Sequence, residues 1–155
     1  MHTLRGKEYM EYDNPYDVGM TGLIGFASGY NAMKSCDTLL ILGADFPYRQ
    51  FFPEHAKIAQ IDLRPEALGN RCPLTLGLLG GVKETLELLT PKITQKTDAS
   101  HLDDALEDYK HARHELDVMA QTHPHSDQIH PQYLTTLVSE LADDCLLYTS
   151  PSPRD

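Results

Sequence analysis

Four glycines crowd the stretch between Asp17 and Gly29, at Gly19, Gly22, Gly25 and Gly29, and they restrict what that stretch can become. Gly22, Gly25, Gly29 and Ala32 share one face at helical spacing, so the run predicts a helix over residues 21–34 with a stripe almost free of side chains. Each glycine inside a helix costs about 1 kcal/mol relative to alanine. Such a stripe is explained by close approach of backbone, either to a sheet beneath it or to a nucleotide at the helix start.

Short apolar runs follow. Asp37 introduces Thr38-Leu39-Leu40-Ile41-Leu42-Gly43; Lys57-Ile58-Ala59-Gln60-Ile61-Asp62 comes next, broken by Leu63-Arg64-Pro65; Leu74-Thr75-Leu76-Gly77-Leu78-Leu79 closes at Gly80-Gly81. Unbroken runs of this length suit strands buried on both faces. A helix is predicted over residues 82–89, stopped by Pro91. Leu102, Leu106, Tyr109, Leu116 and Met119 then mark one face of a long helix whose other face is charged. A break over residues 122–127 precedes His130-Pro131 and a helix striped by Leu134, Leu137, Val138 and Leu141, with Pro131 suited to its first position. Strands separated by loop or helical crossovers predict an α/β fold, a parallel sheet with flanking helices, followed by a trailing helical segment. Leu146-Leu147-Tyr148 reads as a starting strand that Pro151 and Pro153 cannot continue.

The 155 residues hold one domain of ordinary size. Their net charge of −10, with no Lys/Arg cluster, argues against nucleic acid as a partner. Cys36, Cys72 and Cys145 form no C-x-x-C pair, which fits a reduced cytoplasmic setting. Residues 1–8 lack the layout of a secretion signal and read like the middle of a protein. His111 and His114 on a polar helix face, and His123, His125 and His130 near prolines, have no recognised ligand spacing and are expected to be solvated, so no metal site is predicted. The pairs Asp103-Asp104, Glu107-Asp108 and Asp143-Asp144 are expected on exposed helix surface or at caps, and no nucleophile triad is visible.

Ligands of open parallel sheets lie beyond the carboxyl ends of the strands. Gly43-Ala44-Asp45-Phe46-Pro47, Asp62 and Gly80-Gly81 would project there. Asp62 suits a ribose, Gly43 a close cofactor, and amides near Met20, Thr21 and Gly22 a phosphate. Tight turns and a cap account for the same residues equally well, and no G-x-G-x-x-G follows a strand.

The segment Glu11-Tyr12-Asp13-Asn14-Pro15-Tyr16-Asp17-Val18-Gly19-Met20-Thr21-Gly22-Leu23-Ile24-Gly25-Phe26 resembles the central domain of thiamine diphosphate-dependent enzymes. So do Leu42-Gly43-Ala44-Asp45-Phe46-Pro47-Tyr48-Arg49 and Ala56-Lys57-Ile58-Ala59-Gln60-Ile61-Asp62-Leu63-Arg64-Pro65. Within that superfamily the chain is most similar to bacterial pyruvate oxidase, the quinone-linked pyruvate dehydrogenase. G-M-x-G with a later I-D-x-x-P is specific for the superfamily, and the Asp-Asn-Pro-Tyr-Asp-Val lead-in narrows it. Ala105-Leu106-Glu107-Asp108-Tyr109 and Ile129-His130-Pro131-Gln132-Tyr133-Leu134 carry the likeness on, over residues 6–144.

The resemblance implies a Rossmann-like domain that holds FAD through Met20, Thr21, Gly22 and Leu23, through Gly43, Ala44, Asp45, Phe46 and Pro47, and through Ile61 and Asp62 near the adenosine. It implies a parent enzyme that decarboxylates pyruvate on thiamine diphosphate with Mg2+ and passes electrons through FAD to a quinone, leaving acetate. That parent is expected to be a cytoplasmic homotetramer with peripheral contact at the inner face of the membrane. Residues 1–92 would be the central domain, truncated at its N-terminal side, 93–127 a helical linker, and 128–144 the start of the thiamine diphosphate domain. Residues 145–155 resemble read-through of sequencing-adaptor DNA and are expected to carry no structural weight. The chain would be an internal fragment, inactive alone, with no catalytic or metal-binding residue of its own.

Gly80-Gly81 departs from the family's Gly-Asp, and the Asp-Val-Gly and Gly-Asp-Gly…Asn motifs do not follow Asp144. The first departure keeps open a structural or nucleotide-binding module without a working flavin. Acetolactate synthase, which keeps FAD without redox use, shares G-M-x-G and I-D-x-x-P but usually lacks the lead-in.

Overall fold

The computed structural model describes residues 1–121 and 128–142. The break at 122–127 with His123 and His125, the pair Asp143-Asp144, Cys145, the strand start at Leu146 and the tail 145–155 lie outside the described residues. Two compact units divide the chain, Met1–Ala112 and Arg113–Asp155.

In the first unit, strands β1 (Thr38–Leu42), β2 (Lys57–Asp62) and β3 (Leu76–Leu79) form a parallel sheet in the order β1-β2-β3. Leu39 lies beside Ile58 and Leu42 beside Ile61, while Ala59 pairs with Leu76 and Asp62 with Leu79. Both crossovers are loops carrying a 3-10 turn, at Arg49–Phe51 and Pro65–Ala67. Each is long enough for the dozen or so residues that a parallel return requires. The second crossover is locked by the buried amide of Gln60, which donates to the Ala67 carbonyl at 3.2 Å and accepts from the Gly69 N–H at 3.0 Å. Helices α1 (Lys7–Met10), α2 (Ala27–Ser35) and α3 (Val82–Leu89) belong to this unit, as does the first part of α4 (Ser100–Met119).

Alternation along β1 and β2 sends Leu39 and Ile58 to one face, where they pack with Met33, Phe46, Phe52 and Cys72. The ring of Phe46 meets Tyr48, Phe51 and Phe52 edge-on at centroid distances of 5.2, 5.7 and 5.7 Å, the geometry aromatic quadrupoles favour. A second cluster joins Val18, Ala32 and Ala105, with Leu102 and Leu106 packed against it. The predicted apolar face of α4 is therefore seated at its N-terminal half, where Tyr109 also meets Phe26 edge-on at 5.2 Å.

Two expectations need correction. The helix predicted from residue 21 begins at Ala27. Gly19 and Gly22 have φ of +96° and +123°, outside helical space and open to glycine alone at low cost. The N–H of Gly25 bonds the Gly22 carbonyl at 3.0 Å, and that of Phe26 the Met20 carbonyl at 2.8 Å. The segment is a loop that folds back on the helix it precedes. Close backbone approach does occur, but the partner is Met20: a Cβ on Gly25 would strike its carbonyl oxygen, and one on Gly29 would lie 2.7 Å from it.

Burial on both faces also fails to hold throughout. Ile61 is fully buried, yet every residue of β3 is exposed, and Leu40, Leu42, Leu76 and Leu78, on the same sheet face as Ile61, are exposed around it.

The second unit contains α5 (Pro131–Leu141). Pro131 takes the first helical position as predicted, and the His130 ring accepts the Gln132 N–H at 3.3 Å as its cap. His111 and His114, the first in the earlier unit, are exposed on α4.

The Met20 contact sets a test. Gly29→Ala should lower the unfolding free energy by about 1–3 kcal/mol, the usual cost of overpacking, because a peptide oxygen cannot rotate away. Urea denaturation measures it.

Candidate functional site

The carboxyl ends of β1 and β2 open onto a cavity of about 790 Å³. Its walls come from three stretches distant in sequence: Thr3, Leu4 and Arg5; Met20, Thr21, Gly22, Leu23 and Ile24; and Gly43, Ala44, Asp45, Phe46, Pro47 and Tyr48, with Arg64 completing the rim.

Each wall has a local cause. Gly43 ends β1 at φ +58°, and its N–H bonds the Ile61 carbonyl at 2.9 Å, so the chain leaves the sheet without a side chain in the way. Gly22 turns the second wall. A Cβ there would meet Phe46 and Tyr48 only at ordinary contact distance, so its backbone angle, not space, demands glycine. The loop is stapled from behind, where the buried Ser28 hydroxyl donates to the Val18 carbonyl at 2.8 Å.

Of the residues singled out from sequence, Met20, Thr21, Gly22, Leu23, Gly43, Ala44, Asp45, Phe46 and Pro47 all line this one cavity. Ile61 and Asp62 do not. Ile61 lies in the sheet interior, and the buried Asp62 carboxylate accepts the Arg64 N–H at 2.9 Å, with the Arg64 Nε at 3.7 Å. Asp62 thereby builds the turn that carries Arg64 to the rim.

Residues 1–89 match the family model described as thiamine pyrophosphate enzyme, central domain. The chain belongs to the thiamine pyrophosphate enzyme family. The three-stranded parallel sheet is the α/β architecture of that central domain. A Pseudomonas amyloderamosa protein, "Uncharacterized 42.6 kDa protein in isoamylase 3'region", is 62% identical over 117 residues, 76% of this chain and 30% of that protein. "Putative thiamine pyrophosphate-containing protein YdaP" of Bacillus subtilis is 34% identical over 147 residues, 94% of this chain and 25% of its own length. The large subunit of acetolactate synthase isozyme 2 from Escherichia coli is 30% identical over 98 residues, 60% of this chain and 18% of the subunit. The chain thus spans at most 30% of these relatives.

The central domain also places residues at its cavity that no sequence pattern marked. Arg5 has no ion-pair partner among the described residues, and Arg64 reaches the same space. Arg5 gave no signal, since a lone basic residue in an exposed stretch has no periodicity. Arg64, two residues past the end of β2, was findable as a basic side chain at a strand's carboxyl end.

The cavity's one carboxylate is already engaged. Arg71 Nε donates to Asp45 Oδ1 at 2.8 Å, and this hydrogen bond holds the Asp45 carboxyl below the usual range. No described helix is long and apolar enough to cross a membrane.

A carboxyl depressed in the folded state has its interaction in full above the ordinary carboxylate pKa and loses it as pH falls through the lowered value. Carbon-detected NMR titration should show Asp45 protonating below the ordinary aspartate value, and Arg71→Gln should move it back up towards that value.

Proposed function

We propose that this cavity holds the nucleotide part of FAD and that the chain is the flavin-binding central domain of a pyruvate oxidase. The observation that carries this reading is the convergence of residues 20–23 and 43–47, the two segments that resemble FAD-binding segments, on one cavity with two arginines.

The residues suit the group. Gly22 and Gly43, both at positive φ, bring bare backbone to the space a diphosphate would fill. Arg5 and Arg64 offer planar, permanently charged donors matched to phosphate oxygens. Leu23 and Ile24 line the cavity with exposed apolar side chains, 69% and 70% accessible, suited to covering a flat ring. FAD when bound supplies two-electron transfer; the protein binds it, orients it and excludes water.

For the whole protein the reading gives pyruvate, quinone and water converted to acetate, CO2 and quinol with thiamine diphosphate and Mg2+, in a cytoplasmic homotetramer with peripheral contact at the inner face of the membrane. The lead-in over residues 13–18 supports pyruvate oxidase. The likeness to acetolactate synthase supports a second reading, in which the same cavity keeps FAD without redox use. Gly81, standing where the family usually has Asp, supports a third, a module without a working flavin.

Titration of FAD with the chain should quench flavin fluorescence to saturation, and the double variant Arg5→Gln, Arg64→Gln should weaken binding at least about tenfold, the value of one charged hydrogen bond. Absence of saturable quenching by the unaltered chain overturns the reading.

A further inference from the structure

One buried polar cluster takes no part in lining the cavity. His2 and Asp17 are 6% and 4% exposed. The His2 Nδ1 donates to Asp17 Oδ1 at 3.0 Å, and the same oxygen accepts the Gly19 N–H at 3.3 Å. The main chains join as well: the His2 N–H bonds the Gly19 carbonyl at 3.3 Å, and the Thr21 N–H bonds the His2 carbonyl at 2.9 Å. Residue 2 therefore grips both ends of the peptide 19–21, whose Met20 and Thr21 belong to the cavity wall.

Asp17 arrives there by construction. Asn14 Oδ1 accepts the Tyr16 N–H at 3.1 Å, the Asp17 N–H bonds the Asn14 carbonyl at 3.1 Å, and Asp13 takes φ +51°. The lead-in is a folded turn that ends by placing one carboxylate beneath the glycine loop. Other charged groups around the pair are Glu11, 3.6 Å from His2 Nε2 and itself paired with Lys7 at 3.4 Å, and the Met1 amine, 3.9 Å from Asp17 Oδ1. Neither His2 Nε2 nor Asp17 Oδ2 has a hydrogen-bond partner among the described residues. Two unsatisfied buried atoms are a cost that an apolar pair would avoid, so a role in placement accounts for the pair better than stability does.

We propose that His2 and Asp17 are positioning residues that set the path of residues 19–22 and so the affinity of the cavity for a nucleotide. The Met20 carbonyl is fixed from the α2 side by Phe26, Gly25 and Gly29, and the pair holds the other side of the wall, at Gly19, where glycine's freedom leaves the path otherwise unset. A wall already held in place loses less entropy when a ligand binds. The affinity part of the proposal rests on the FAD reading; the loop-ordering part does not.

The test compares His2→Asn, His2→Gln and Asp17→Ala in the full chain, by amide hydrogen exchange and by FAD titration. Asparagine puts its amide nitrogen where Nδ1 was and can keep the Asp17 bond; glutamine extends toward the place of Nε2 and cannot. Asp17→Ala and His2→Gln should speed exchange at Gly19 and Thr21 and weaken FAD binding, each about tenfold, the size of one charged hydrogen bond, while His2→Asn stays near the parent. If exchange responds this way but even the unaltered chain fails to bind FAD, the loop role stands and the FAD reading falls. If FAD binds and His2→Gln changes neither quantity, positioning is overturned. Faster exchange spread equally over the β2 amides would make the pair a general stability element and overturns it too.

Discussion

The carbonyl oxygen of Met20 is the point on which the first unit is assembled. It accepts the Phe26 N–H at 2.8 Å, and the backbones of Gly25 and Gly29 close over it with no room for a Cβ. That contact sets the start of α2, since the chain cannot enter a helix until it has passed around the oxygen. It also sets the position of α2, whose Ala32 and Met33 reach the two apolar clusters. Because Met20 belongs to the cavity wall as well, core and site share one fixed atom, and a change in one is carried to the other through rigid backbone.

Much of the architecture was legible because its elements announce themselves locally. Apolar runs closed by glycine gave β1 and β3, the run broken at Leu63-Arg64-Pro65 gave β2, and Val82–Leu89, Ser100–Met119 and Pro131–Leu141 follow from periodicity and proline placement. The start of α2 was not legible. Spacing at positions 22, 25 and 29 shows which residues would share a face if the backbone were helical, but glycine tolerates left-handed angles equally well, and no pattern reports φ. The exposure of β3 was hidden for a different reason: leucines record what a strand prefers to touch, not which elements are present to touch it.

The site divides along similar lines. Residues 20–23 and 43–47 could be picked out because glycine at a strand end or in a loop answers to a short set of physical causes, a tight turn or a close neighbour. Asp62 shows the limit, since an acidic residue closing a strand reads the same whether it faces a ribose or caps a turn. Here its carboxylate bonds the amide of Arg64, and the arginine, not the acid, lies at the cavity. Arg5 is brought there by the bridge between His2 and Met20, a pairing between stretches with no common pattern.

The leucines left open at positions 40, 42, 76 and 78 sit on a molecule of net charge −10. Like-charged copies repel, and that repulsion keeps the sheet faces of two molecules apart. Its reach is about 10 Å at 0.1 M ionic strength and about 3 Å at 1 M, whereas salt leaves the apolar face as adhesive as before. On this physics the charge acts as a spacer between copies, and raising the ionic strength shortens the distance over which it keeps exposed leucines of two copies apart.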